Sequence, residues 1–267
     1  MREILVTGAT GNVGRQVVKQ LLAKGVGVRA LTRRPDASLP AGVEAAYGDL
    51  EKPESLAAAD VSAVFLVWPL HTAETLPAVL EAIGRPVVFL GSGGVRDCTF
   101  DQQIELLRRS GLEWTFIRPS TFAANALWWA PQIRAGDIVR GAYGQVAMPM
   151  LHEADIAAVA VRALLDGRHA GAVYDLTGPE LVAQADQVRL IGEAIGRPLR
   201  WEEVDRPRAR AQMVADDFPE SFVDVLFDAY EQMVPVPITN TVQEVAGRPA
   251  RTFLTWARDH AADFTAR

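Results

Sequence analysis

The sequence predicts an α/β protein built on a doubly wound parallel sheet, with a smaller, mostly helical C-terminal region. Two observations predict it. From the N-terminus to Pro119, short branched apolar runs alternate with amphipathic stretches, the pattern of a parallel sheet with crossover helices. In addition, 49% of the 267 residues are hydrophobic, ample for a large core.

The elements read in order. Residues 4–6 form a strand. A glycine-rich turn follows, then a helix whose apolar residues Val17, Val18, Leu21 and Leu22 recur at helical spacing, closed by Gly25. Val26 to Leu31 is the second strand and Val43 to Tyr47 the third, ending in Gly48-Asp49-Leu50. Pro53 to Ala59 reads as a short helix with proline near its start. Ser62 to Val67 is a strand, and Thr72 to Ile83 a helix closed by Gly84. Pro86 to Leu90 runs as a strand into Gly91-Ser92-Gly93-Gly94, Phe100 to Ser110 is helical, and Glu113 to Arg118 is the sixth strand, ended by Pro119. Beyond it the rhythm changes. Residues 122–136 are rich in aromatic side chains, and Gln145 to Met150, Ala172 to Leu176 and Leu199 to Val204 read as strands. Ala154 to Leu165 and Ala185 to Ile195 read as helices, and the remainder as mostly helical. The division is a core over 1–120 and a region over 121–267 that completes it and covers a substrate, together one integrated domain.

The first turn carries chemistry. Val6-Thr7-Gly8-Ala9-Thr10-Gly11-Asn12-Val13-Gly14 places three glycines at three-residue spacing between a strand and a helix. Such a turn lets backbone approach a phosphate, and the helix N-terminus offers free N–H groups to it. The βαβ context predicts a dinucleotide. A site selective for NAD places a carboxylate about 20 residues further on, for the ribose 2′-OH. Here no acidic residue occurs between Glu3 and Asp36, and the second strand ends in Thr32-Arg33-Arg34. A guanidinium grips a 2′-phosphate that a carboxylate would repel, so Arg33, assisted by Arg34, predicts NADP(H). A solvated arginine pair is the plainer reading of the same residues.

Composition sets bounds. The net charge of −6 gives no reason to expect nucleic-acid binding. Cys98 is the single cysteine, the four histidines are scattered, and no metal-ligand spacing occurs, so no metal is expected. No signal-peptide pattern or apolar span of membrane length is seen, so a cytoplasmic protein without membrane contact is expected. The sequence does not specify an oligomeric state.

Several segments together resemble the NmrA-like, atypical branch of the short-chain dehydrogenase/reductase superfamily, with its Rossmann-type NAD(P)-binding fold. They are the glycine turn, Gly48-Asp49-Leu50, Ser110-Gly111-Leu112-Glu113-Trp114-Thr115 running on to Arg118-Pro119, His152-Glu153-Ala154-Asp155-Ile156-Ala157, and Leu176-Thr177-Gly178-Pro179. The resemblance assigns the pyrophosphate to Gly8, Ala9, Thr10, Gly11, Asn12 and Val13, and the adenosine phosphate to Arg33. It places Asp49 and Leu50 beside the adenine, Trp68 and Gly91 along the cofactor groove, and Pro119 near the nicotinamide. Asp155 reads as a helix-start residue. Many relatives carry a His and a Glu in the helix before Ser110; Asp101 and Ile104 stand there, and that pair is not carried over.

The wider superfamily protonates its product with a Tyr-x-x-x-Lys pair. The four tyrosines, Tyr47, Tyr143, Tyr174 and Tyr230, are followed four residues later by Glu51, Ala147, Gly178 and Val234, so the dyad is absent. Ser92 and His152 are the candidate proton donors; each also reads plainly, as a tight-turn serine and a surface or capping histidine. Phe122, Asn125 and Trp129, with Leu127 and Trp128, form either a flat apolar wall for a substrate or a buried helix. Tyr230 lies in a helix that would close such a pocket, or is an ordinary packed aromatic. The expectation is an NADPH-dependent reductase of an aromatic or polycyclic ketone or a quinone, a natural-product ketone among them. The alternative is a non-catalytic NADP(H) sensor.

Overall fold

The computed structural model describes residues 2–33, 39–56, 60–91, 93, 97–234 and 236–265. The chain divides into two compact units. The first comprises residues through Pro119 together with Glu153–Leu176 and Asn240–Pro249; the second comprises Ser120–His152, Thr177–Thr239 and Ala250 onward.

In the first unit, β1 (Glu3–Val6), α1 (Asn12–Leu22), β2 (Gly27–Thr32), β3 (Val43–Tyr47), β4 (Ala63–Val67), α2 (Leu76–Ile83), β5 (Val87–Leu90), α3 (Phe100–Arg109) and β6 (Trp114–Pro119) follow one another. The second unit then takes β7 (Thr121–Phe122), a 3-10 segment over Ala123–Trp129, α4 (Ala130–Ala135), β8 (Ile138–Gly141), β9 (Ala147–Met148) and β10 (Met150–Leu151). The chain returns to the first unit for α5 (Glu153–Leu165) and β11 (Val173–Leu176). It supplies the second again with β12 (Val182–Ala183), α6 (Gln184–Ile195), β13 (Arg200–Glu203), α7 (Arg206–Ala215) and α8 (Glu220–Glu231). Helix α9 (Thr241–Ala246) belongs to the first unit, α10 (Phe253–Asp259) and α11 (Ala261–Thr265) to the second.

The first unit is a seven-stranded parallel sheet in the order β11-β6-β5-β4-β1-β2-β3, so the doubly wound expectation holds and β11 is added beside β6. Strand order reverses between β1 and β4, which opens a crevice at their carboxyl ends. Alternation along the strands divides the core. Leu5, Val64, Leu66, Phe89 and Phe116 pack with α2 and α3, while Ile4, Val6 and Phe65 point to the opposite face. Helix α5 packs on α1 and on β4 to β6, and is buried almost along its whole length.

Several boundaries differ from expectation for local reasons. In place of the helix expected over 53–59 there is one 3-10 turn, Pro53–Ser55, after which Leu56 is extended; residues 57–59 lie outside the described set. Ser55 Oγ donates to Lys52 O at 2.7 Å and accepts from Asp49 N at 2.8 Å, tying the turn back on itself. Helix α2 starts at Leu76 and not at Thr72: Pro77 suits only the first turn, and Ala73 N donates instead to Asp97 Oδ1 at 3.0 Å. The cap of α1 is Ala23, and Gly25, at φ +69°, turns the chain beyond it. The strand expected over 145–150 is split at Pro149. Met148 pairs antiparallel with Val182, whereas Met150 pairs parallel with Thr121. Gly178 is required there, since a Cβ would sit 2.1 Å from Met150 O.

Asp155 does lie in the first turn of α5, as its helix-start reading requires, and it is fully buried. Arg248, just past α9, reaches its Oδ1 at 2.7 Å. Removing Arg248, which is partly exposed, takes one charged partner from the buried Asp155 carboxylate. R248M therefore lowers stability by about 2–3 kcal/mol, read as a lower urea midpoint at unchanged slope.

Candidate functional site

The cofactor residues named from the sequence belong to the first unit, and they start the loops at the carboxyl ends of its strands. Gly8, at φ +60°, accepts a hydrogen bond from Gly11 N at 2.9 Å, closing the turn after β1. A Cβ on Gly14 would lie 2.0 Å from Gly8 O, so only glycine lets α1 approach the turn this closely. Gly8, Thr10, Gly11 and Asn12 are exposed, while Ala9 and Val13 turn inward. The start of α1 has no side-chain cap and no acidic residue in its first turn, so its N–H groups and positive dipole end are left for an anion.

Arg33 follows directly on β2, is exposed, and has no ion-pair partner among the described residues. Arg34 and Ser92 lie outside the described residues. Asp49 follows β3; its Oδ1 accepts from Glu51 N at 3.1 Å, and Leu50 behind it is buried. Gly91 follows β5, where a Cβ would stand 2.5 Å from the Phe116 ring, and Pro119 ends β6. Trp68 departs from expectation. It does follow β4, but its indole is 2% exposed, packed in the core, and donates Nε1–H to Thr72 O at 2.9 Å. Only its backbone remains for a groove. Thr7, which opens the glycine turn but is not among the expected cofactor residues, bridges β1 and β4 at the crevice. Its Oγ1 accepts from Val67 N at 2.7 Å and donates to Val67 O at 3.2 Å.

Of the residues expected around a substrate, Ser92 lies outside the described residues, and Phe122, Asn125, Trp129 and Tyr230 belong to the second unit, which holds an apolar cavity of about 720 Å3 with its open mouth included. Asn125, Trp129 and Tyr230 line it, with Trp128, Trp201 and Phe227. Phe122 does not line it; it sits in the short β7 ladder, opposite Leu151. Trp128 packs edge-on against Phe218 and Phe222, and Trp129 edge-on against Trp201. Trp201 belongs to no motif of the sequence, although Gly141 and Gly144 signal it: a Cβ at either would fall 2.3–2.4 Å from the indole. Glu203 holds the indole, accepting from Trp201 Nε1 at 2.7 Å and from Gly144 N at 3.0 Å.

Most polar groups of the cavity are consumed by the fold. Gln184 Nε2 donates to Tyr143 O at 2.9 Å, and Gln187 Nε2 to Val182 O at 3.0 Å. Gln132 bonds both backbone groups of Arg140, and Arg140 Nε pairs with Glu202 at 2.9 Å. The Asn125 amide and the Tyr230 hydroxyl, in contrast, have no hydrogen-bond partner among the described residues. Burial pushes the Tyr230 phenol up to about 12, so it is a neutral donor at pH 7. His152 is 2% exposed and lies outside the cavity, with Nε2 3.3 Å from Asp259 Oδ2 and its ring near His260. That setting does not bring it to the groups just described.

Among the described residues no cluster of His, Cys, Asp and Glu could hold a metal ion. No described helix is long and apolar enough to cross a membrane.

Comparison with known proteins gives these features a context. The family described as NAD(P)H-binding matches residues 8–83, which spans the glycine turn, Arg33 and Asp49. The chain is 37% identical to the (4-alkanoyl-5-oxo-2,5-dihydrofuran-3-yl)methyl phosphate reductase of Streptomyces griseus, covering 98% of this chain and 99% of that one. It is 33% identical to the NAD(P)H azoreductase of Xenophilus azovorans over the same shares. Its fold matches that of a Citrobacter triphenylmethane reductase with a TM-score of 0.80 at 21% identity, covering 97% of this chain and 99% of that one. The chain therefore belongs to the NAD(P)H-binding, NmrA-like branch of the short-chain dehydrogenase/reductase superfamily, a family of oxidoreductases.

Proposed function

We propose that this NAD(P)H-dependent reductase prefers NADPH and transfers hydride to a bulky, uncharged, apolar carbonyl compound, an aromatic or polycyclic ketone or a quinone. The observation that carries the reading is the indole- and phenyl-walled cavity of the second unit, in which Asn125 and Tyr230 are polar side chains with hydrogen bonds to spare. A sensor that only bound the cofactor would need no such cavity. Flat conjugated acceptors match tryptophan faces, and a few unspent polar groups fix their orientation.

The residues of the first unit fit NADPH. The uncapped start of α1 suits the pyrophosphate, and Arg33 suits the adenosine 2′-phosphate. Bound there, the cofactor supplies a hydride to the electrophilic carbon of the acceptor. The chain enters the second unit from the last residues of β6 and β11, the strand ends at which open α/β sheets take ligands. Binding and orientation do most of the remaining work, because holding the reacting atoms together removes a large part of the barrier.

Charge narrows the substrate. The Streptomyces relative is named for a phosphate ester. In this chain the arginine of the cavity, Arg140, is already paired with Glu202, and Arg206 and Arg210 on α7 are each held by two carboxylates. A phosphate would have to break such pairs, whereas a neutral acceptor leaves them intact.

Three measurements test this. NADPH consumption is expected with menadione and acenaphthenequinone and not with phosphorylated butenolides; tight NADPH binding without turnover on any of them would favour a sensor. R33A weakens NADPH binding about 10- to 100-fold by calorimetry and leaves NADH binding unchanged, the scale of a lost charged hydrogen bond; an unchanged ratio removes Arg33 from cofactor selection. G14A forces α1 off the turn, costs about 1–3 kcal/mol of stability, and weakens both cofactors alike.

A further inference from the structure

We propose that the Tyr230 hydroxyl is the hydrogen-bond and proton donor to the substrate's carbonyl oxygen, taking the part that the missing Tyr-Lys pair would play. This rests on the reading of the second-unit cavity as the substrate pocket.

The fold treats two neighbouring tyrosines differently. Tyr143 and Tyr230 pack edge-on with ring centroids 5.9 Å apart, both against Phe227. The Tyr143 hydroxyl is committed to the Glu231 carboxylate, which Arg206 also holds at 2.8 Å. Tyr143 does not line the cavity. Tyr230 lines it, and its hydroxyl has no protein partner among the described residues. Of the two phenols, the fold has used one and left the other for the cavity.

Chemistry then separates Tyr230 from the other unspent groups there. The Asn125 amide and the indole N–H groups of Trp128 and Trp129 donate hydrogen bonds but do not give up a proton near neutral pH, and an aliphatic hydroxyl such as that of Thr121 is far less acidic than a phenol. A phenol moves its proton readily. Burial raises its pKa to about 12, which keeps it protonated through the working range yet still more acidic than an alcohol.

In the reaction, a hydride supplied by NADPH, whose C–H bond breaks as it is oxidised to NADP+, adds to the carbonyl carbon and forms the new C–H bond. The π electrons of the C=O bond move to oxygen, and that alkoxide takes the Tyr230 proton. The O–H bond of the product forms as the phenolic O–H bond breaks, and the phenolate recovers a proton from water through the open mouth. With a quinone, the reduced oxygen is itself phenolic and less basic than an alkoxide. There Tyr230 gives only its hydrogen bond, and the proton comes from solvent.

Tyr230→Phe tests the proposal, with Tyr143→Phe as the reference. Because the Tyr230 hydroxyl has no partner to lose, Y230F keeps the wild-type Tm to within about 2 °C, whereas Y143F, which loses its bond to Glu231, melts lower. Menadione binding to the protein without cofactor, followed by quenching of tryptophan fluorescence, weakens about 5- to 10-fold in Y230F and stays at the wild-type value in Y143F. With acenaphthenequinone, a 1,2-diketone whose reduced oxygen is an alkoxide and not a phenolate, and saturating NADPH, kcat falls about 100-fold or more in Y230F, and the solvent deuterium isotope effect on that step disappears. Unchanged menadione affinity together with unchanged kcat in Y230F overturns the role of Tyr230 and leaves the pocket reading intact. Failure of the wild-type protein to bind menadione overturns the pocket reading, and the role of Tyr230 with it. A lowered Tm in Y230F with the isotope effect retained assigns the hydroxyl to structure and also overturns the proposal.

Discussion

The approach of α1 to the first turn is the contact on which the first unit depends. Gly14 meets Gly8 O at a distance that excludes any side chain. That contact seats the helix directly on the end of β1, so its unspent N–H groups open onto the crevice where the strand order reverses. Thr7 secures the same place from the sheet side, exchanging two hydrogen bonds with the backbone of Val67 across β1 and β4. A cofactor site made of backbone needs this rigidity, because nothing but main-chain position aims its donors.

The second unit solves a different problem. Its cavity is walled by large aromatic side chains, and its polar residues are mostly bonded into the frame, where they hold β8, β12 and α6 in register. The exposed ion pairs of α7 and α8 contribute little stability singly. They do neutralise Arg206 and Arg210, which is what the proposed preference for an uncharged acceptor rests on. On the proposal made for Tyr230, the absence of a Tyr-Lys pair becomes a matter of placement: the phenol stands on α8, away from a Tyr-x-x-x-Lys position.

The sheet is legible in the sequence because parallel strands buried on both faces must be short, branched and apolar, as Ile4, Leu5 and Val6 are in β1 and Val87–Leu90 are in β5. The glycine turn is equally legible, since the close approach at Gly14 leaves no room for a side chain and the positive φ at Gly8 strains any other residue. Side-chain direction is not conveyed by sequence position. Trp68 stands at a strand end where a groove residue belongs, yet its indole finds more apolar surface inward and a partner for its N–H in Thr72 O. Phe122 follows β6 closely, but Pro149 divides the facing segment so that Phe122 is spent on a two-residue ladder. Asn125, Trp129 and Tyr230 do line one cavity, as their pattern suggests. Trp201, Gln184 and Gln187 share it without belonging to any motif, because they come from β13 and α6, and only the folded chain brings those elements to the same wall.

The decisive measurement is a crystal structure of the protein with NADP+ and menadione bound together. The pyrophosphate is expected on the turn from Gly8 to Val13, the 2′-phosphate on Arg33, and a menadione oxygen within hydrogen-bond distance of Tyr230, between the indoles of Trp128 and Trp129. A 2′-phosphate turned away from Arg33, or menadione seated outside that cavity, would refute the assignment of cofactor and substrate to these two sites.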